Sequence, residues 1–222
     1  DIGIEVINEL FSEKGLSELF SIAGKKTAHL SENAARIVSM RRDYVRAIGP
    51  VMSFLQGRNP TVAELICADT FLPESSRFTQ ADDLESLFGT MGITDKAKHL
   101  ATLFLEDISD MIVEAVDSDF GFSRYAEKLG QSAPVFDTLQ ERLSAPETLI
   151  DTIMLRVLKE KMAQFSPSAV GFSIPFPGCL YGALKCAQWL KKNHPATKVI
   201  FGGGYVNTEL RSLTDTRIFN FA

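Results

Sequence analysis

Two groups of residues have types and spacing suited to chemistry. Ser173 stands near the end of the apolar run Ala169-Val-Gly-Phe-Ser-Ile174, and Gly202-Gly203-Gly204 follows Lys198-Val-Ile-Phe201. A hydroxyl at a strand end can bond a ligand or cap the backbone of the loop after it, and the sequence leaves both roles open for Ser173. Glycines after a parallel strand let the backbone approach a ligand closely and adopt positive φ, at the place where nucleotide-type cofactors meet such sheets. A tight turn would account for some of them, but three in succession are more than a turn requires. The run is not a dinucleotide fingerprint, because G-x-G-x-x-G would need glycine where Asn207 stands.

Other reactive side chains form no recognisable constellation. Cys67, Cys179 and Cys186 are an odd number with neither zinc nor disulfide spacing, so they read as small buried residues in a reducing compartment. Cys179 and Cys186 fall near one face of the same expected helix. His29, His99 and His194 are far apart and suit solvated helix faces or ends. The acidic pairs Asp82-Asp83 and Glu106-Asp107 read as surface charge. Asp117 and Asp119 have the spacing of a metal loop without its remaining ligands. Neither a nucleophile elbow nor a P-loop is present.

The elements that must hold Ser173 and the glycines form a βαβ unit, the building block of a parallel sheet. The first run is short, apolar and β-prone, as a strand buried on both faces would be. Pro175, Pro177 and Gly178 break it and stiffen the wall of the crevice. From Gly178 to Asn193, Leu180, Ala183, Leu184, Ala187 and Leu190 recur at helical spacing, with Lys185, Gln188, Lys191 and Lys192 on the other side. His194-Pro195 stops the helix, and Lys198–Phe201 is the second strand.

Upstream, the chain reads as almost wholly helical to about residue 143. Ile4, Ile7, Leu10 and Phe11 open it, although the first few residues fit strand or helix. Residues 27–48 read as one long helix or two, with Pro50 starting the next and Gly57-Arg-Asn-Pro60 forming a turn. Thr61-Val-Ala-Glu64 and Ser144-Ala-Pro-Glu147 have the pattern of capping boxes, and the first of these helices is expected to end near Pro73. A short helix is expected over 81–88. The longest starts at Thr94-Asp95 and buries Leu100, Leu103, Phe104, Ile108, Met111 and Ile112; shorter ones are expected over 119–129 and 134–143. The expected architecture is α/β, a partial Rossmann-type parallel sheet over 144–222 behind a large helical block over 1–143. The first residues are open to assignment with the sheet.

Composition bounds the function. With 45% hydrophobic and 23% charged residues and a net charge of −5, the chain suits a globular protein able to bury a core. No basic stripe stands out to neutralise phosphates, which argues against nucleic acid as a partner. No apolar run approaches the roughly 18 residues of a membrane span, and a cytoplasmic location is expected. Two confident strands do not complete a parallel sheet, and the chain starts at Asp1 and stops soon after the glycine loop. It therefore reads as part of a longer chain, with strands missing on either side.

The stretch Ser168–Asn207 carries a resemblance. Val170-Gly-Phe-Ser173, Ala183-Leu-Lys-Cys-Ala187, Lys191-Lys-Asn-His-Pro195 and Val199-Ile-Phe-Gly-Gly-Gly204 together resemble the cobalamin-binding domain that precedes radical S-adenosylmethionine domains. Within that superfamily the stretch looks most like the Mg-protoporphyrin IX monomethyl ester oxidative cyclase type. The resemblance implies a flavodoxin-like sheet that holds the nucleotide tail of cobalamin at its C-terminal edge, with Ser173 as the strand-end serine and Gly202, Gly203 and Gly204 as the glycine loop. It also implies a small-molecule substrate, and a downstream radical S-adenosylmethionine domain of the same parent chain that binds S-adenosylmethionine and a four-iron four-sulfur cluster. The Asp-x-His-x-x-Gly motif for the lower cobalt ligand is absent here, as in many radical S-adenosylmethionine members. The Cys-x-x-x-Cys-x-x-Cys cluster motif is absent too, so this chain alone is expected to be inactive. The helical block matches no motif. The rival expectation is a degenerate α/β domain that binds no cofactor and acts as an interaction scaffold. A nucleotide-binding domain of another kind is a weaker third.

Overall fold

A computed structural model describes residues 1–68, 70–80, 92–122, 136–212 and 215–222. By internal contact the chain divides into two units, Ile7–Ser118, and Asp1–Val6 together with Asp119–Ala222. The first six residues, left open by the sequence, group with the strands. So does the helix Phe136–Ser144, whereas the sequence pattern places the change near 143. Among the described residues no helix is long and apolar enough to cross a membrane. The expected helix over 81–88 lies outside the described residues, as does most of the one over 119–129.

Helix α1 (Ile2–Leu10) opens the chain. The helical unit continues with α2 (Glu13–Ala23), α3 (Glu32–Ser39), α4 (Arg41–Leu55), α5 (Val62–Ile66) and α6 (Ile93–Ala115). Serine caps fix two of the starts, Ser12 accepting from Gly15 N at 3.0 Å and Ser31 from Ala34 N at 3.2 Å. Ser31 Oγ also donates to Glu114 Oε2 at 2.7 Å, tying the start of α3 to α6. Leu103, Phe104, Ile108, Met111 and Ile112 of α6 are buried, as their spacing predicts, and Leu100 is half-buried.

Three local expectations fail in this unit. Pro50 does not start a helix but sits inside α4. It removes the donor that the Arg46 carbonyl would otherwise receive, and burial of Tyr44, Ala47, Ile48, Val51 and Phe54 along one face offsets that loss. Thr61 caps nothing: its backbone is already helical, and its hydroxyl donates to Asn59 Oδ1 at 2.7 Å. An N-cap needs extended geometry to turn its side chain back on the first turn. The α5 helix stops at Ile66, well before Pro73.

The other unit comprises α7 (Phe136–Ser144), α8 (Leu149–Phe165), β1 (Ala169–Ser173), α9 (Leu180–Asn193), β2 (Lys198–Gly202) and α10 (Gly204–Thr208). The expected cap at Ser144 is also wrong, since Ser144 closes α7 with its hydroxyl on the Gln140 carbonyl at 2.8 Å. The capping box is Thr148 with Asp151: Asp151 N donates to Thr148 Oγ1 at 3.2 Å and Thr148 N to Asp151 Oδ2 at 3.0 Å. An aspartate in place of the usual glutamate hid it.

β1 and β2 pair in parallel, with Gly171 opposite Ile200 and Ser173 opposite Gly202. The fold class is therefore α/β in the sense of a mainly helical chain with a two-stranded parallel sheet. β1 is not buried on both faces: Ala169, Gly171 and Ser173 are exposed, and opposite them Ile200 is 56% exposed. Among the described residues no further strand flanks the pair, so the buried-strand pattern has only one neighbour to satisfy it.

Candidate functional site

The C-terminal ends of β1 and β2 bring Ser173 beside the glycine loop, as the sequence predicts. Pairing runs one residue past the strands: Ile174 N donates to Gly202 O at 2.7 Å, and Tyr205 N donates to Ile174 O at 3.1 Å. Ile174 and Tyr205 are buried and anchor the edge from beneath. The exposed Ser173 ends β1, the exposed Phe176 and Cys179 lie between it and α9, and the exposed Asn207 lies in α10.

The three glycines have different physical reasons. Gly203 has φ +107°, and a Cβ there would lie 2.7 Å from the Ile174 carbonyl oxygen and 2.8 Å from the backbone atoms beside it. Backbone geometry alone demands glycine at 203. Gly202 is different, because a Cβ there would meet nothing within 4 Å. At Gly204 the nearest atom, Pro175 O, lies at an ordinary 3.4 Å. The chain's own packing does not require glycine at 202 or 204. The space open at Gly202 lies beside Ser173, its partner across the strand pair.

Among the described residues no group of three or more His, Cys, Asp or Glu side chains is placed to hold a metal ion. The cysteines depart from the buried reading: Cys179 is exposed, Cys67 half-buried and only Cys186 buried. Cys179 precedes the first turn of α9, so it does not share a helix face with Cys186. Burial, with Asp151 adding to it, pushes the Cys186 thiol up to about 12, which keeps it protonated and unreactive.

Two buried polar clusters escape a reading of the sequence. Lys185, expected on the solvated side of α9, is only 4% exposed and donates to the Leu143 carbonyl at 3.4 Å. Because α9 packs against both α7 and α8, its buried arc is wider than one stripe. Beside it, Asp151 is fully buried and accepts from Tyr181 Oη at 2.9 Å and Arg142 Nη1 at 3.2 Å. The Arg142 guanidinium also reaches Asp119 at 3.1 Å and lies 4.7 Å from the Tyr181 ring centroid. The Tyr181/Lys185 i,i+4 spacing was the available signal, but the partners are distant in sequence.

The second cluster corrects the reading of Glu106-Asp107 as surface charge. Glu106 is half exposed and pairs with Arg77 at 3.0 Å, whereas Asp107 is fully buried. Its Oδ2 accepts from Tyr44 Oη at 3.1 Å, and its Oδ1 has no hydrogen-bond partner among the described residues. Tyr44 stacks on Phe104, with ring centroids 5.2 Å apart. Burial pushes the Asp107 carboxyl from 3.8 up to about 6; the Tyr44 hydroxyl and the nearby backbone N–H groups of Arg77 and Ser75 only partly counter it. The folded protein therefore keeps a proton on Asp107 at pH values where the unfolded chain has lost it. That contribution to stability is full below about pH 4 and is lost as pH rises through about 6. Between pH 4 and 7, wild type should lose about 2 kcal/mol relative to Asp107→Asn, read from urea unfolding at each pH. A wild-type–variant difference that stays constant with pH would contradict the assignment.

No protein-family model matches the chain, and neither a curated protein nor a solved structure is found to be similar to it.

Proposed function

We propose that the edge formed by Ser173, Gly202, Gly203 and Gly204 holds the nucleotide tail of cobalamin. In this reading β1 and β2 are part of a larger flavodoxin-like sheet in a radical S-adenosylmethionine protein of the oxidative cyclase type. The observation that carries it is the open space at Gly202, which the chain's own packing does not explain. The Ser173 hydroxyl donates to or accepts from the tail. Gly202 and Gly204 admit it against the backbone, and Gly203 fixes the turn that presents them. Cobalamin supplies radical and alkyl-transfer chemistry at its cobalt.

The iron–sulfur cluster does not fit Cys67, Cys179 and Cys186, which lack its spacing. It and S-adenosylmethionine belong to the downstream domain of the parent chain, with the small-molecule substrate.

The scaffold reading keeps one observation of its own, the exposed Ile200 on a sheet that has two strands and open edges among the described residues. Titrating the chain with hydroxocobalamin, followed by visible absorbance, separates the two. We expect saturable binding by wild type, weakened at least tenfold by Gly202→Val while the thermal unfolding midpoint is unchanged. Absence of saturable binding by wild type would favour the scaffold.

A further inference from the structure

A cleft of about 600 Å³ opens on the helical unit between the C-terminal half of α2 and the first turn of α4. The helices run antiparallel there: Glu13 at the start of α2 lies beside Gly49 late in α4, and Lys25 just past the end of α2 lines the cleft with Arg41 and Arg42. Its floor is apolar, from the buried Phe20 and half-buried Val45, and Ser21 adds a hydroxyl. Among the described residues no carboxylate lines it.

The charge is placed against the interest of the helix. Cations in the first turn are disfavoured by the helix dipole, at about 0.3–1 kcal/mol each when exposed, yet α4 begins Arg41-Arg42. Neither arginine, nor Lys25, has an ion-pair partner among the described residues; the nearby Asp43 pairs instead with Arg46 at 3.3 Å. Met40 at the N-cap offers no side-chain acceptor. The concave shape holds this uncompensated charge over an apolar floor.

We infer that this cleft binds a small organic phosphate, with Arg41 and Arg42 holding the phosphate oxygens and Lys25 adding charge. Guanidinium groups match phosphate geometry with two parallel hydrogen bonds. The apolar floor takes the organic part, and the volume lies within the range of small-molecule sites. Nucleic acid and anionic membranes fit less well, because the chain carries a net charge of −5 and the cations line a cleft rather than an extended stripe. The inference stands apart from the sheet edge and does not depend on cobalamin.

The test is a calorimetric titration of the whole chain with inorganic pyrophosphate and with AMP at low ionic strength. Parallel arms use phosphatidylserine vesicles and a short single-stranded RNA. Wild type should bind both small phosphates saturably, and AMP more tightly. Arg41→Gln with Arg42→Gln should weaken both at least tenfold, and Lys25→Gln should weaken them less. Relieving the helix dipole should leave the double variant at least as stable as wild type, which thermal unfolding checks. Gly202→Val should bind pyrophosphate as wild type does, so failure at the sheet edge is distinguishable from failure here. Unchanged binding in the double variant, no saturable binding by wild type, or binding only to vesicles or RNA would overturn the inference.

Discussion

Replacing Asp151 with alanine should cost about 3–5 kcal/mol of unfolding free energy, the range for breaking a buried charge pair by removing one partner. Asp151 is where three demands meet: it completes the capping box of α8, accepts from Tyr181, and neutralises Arg142. Its removal takes one carboxylate from the largely buried Arg142 guanidinium, which keeps its pairing with Asp119. The fully buried Tyr181 hydroxyl also loses its bond to Asp151. Guanidinium unfolding followed by the single tryptophan, Trp189 on α9, reports on this unit. Arg142→Met combined with Asp151→Leu should recover part of the loss, because an apolar pair of similar volume avoids the stranded charge. A loss below about 1 kcal/mol for the alanine variant would place the pair among weak surface ion pairs instead.

The second large effect is expected at Gly203. Valine there must adopt a backbone conformation that costs about 1–3 kcal/mol for a non-glycine residue. Its Cβ must also displace Ile174, whose backbone lies 2.7–2.8 Å away and is held by bonds to Gly202 and Tyr205. Overpacking of this kind adds about 1–3 kcal/mol. The Gly203→Val variant should therefore lose several kcal/mol and, with them, the ordered end of the sheet. Gly202→Val should unfold like wild type, since its Cβ enters open space. Equal stability of the two valine variants would show that the glycine loop is not built as described. The contrast also governs any binding experiment, because ligand loss in a Gly203 variant would report unfolding rather than contact.

What could be read from the sequence follows from how local the cause is. The strands at Ala169–Ser173 and Lys198–Gly202 are β-prone runs bounded by proline and glycine, and the α9 helix has a clear stripe ended by His194-Pro195. These signals sit within a few residues of what they specify, so the sequence alone brings Ser173 and Gly202 to the same end of the strand pair. Lys185 and Asp107 were misplaced because their burial depends on helices distant in sequence, α7 and α8 in one case and α4 in the other. Pro50 shows the same limit, where packing of one apolar face overrides a local helix breaker. Thr148 was missed for a smaller reason, its partner being aspartate. The cationic cleft was invisible because Lys25 and Arg41 are brought together only by the antiparallel packing of α2 on α4.

The most direct test of the cobalamin proposal is an amide chemical-shift map of the ¹⁵N-labelled chain during titration with diamagnetic hydroxocobalamin. The account predicts saturable shifts concentrated at Ser173, Gly202, Gly203 and Gly204, with Lys25, Arg41 and Arg42 unmoved. Saturable shifts elsewhere with the glycine loop silent, or no shifts at saturating cofactor, would contradict it.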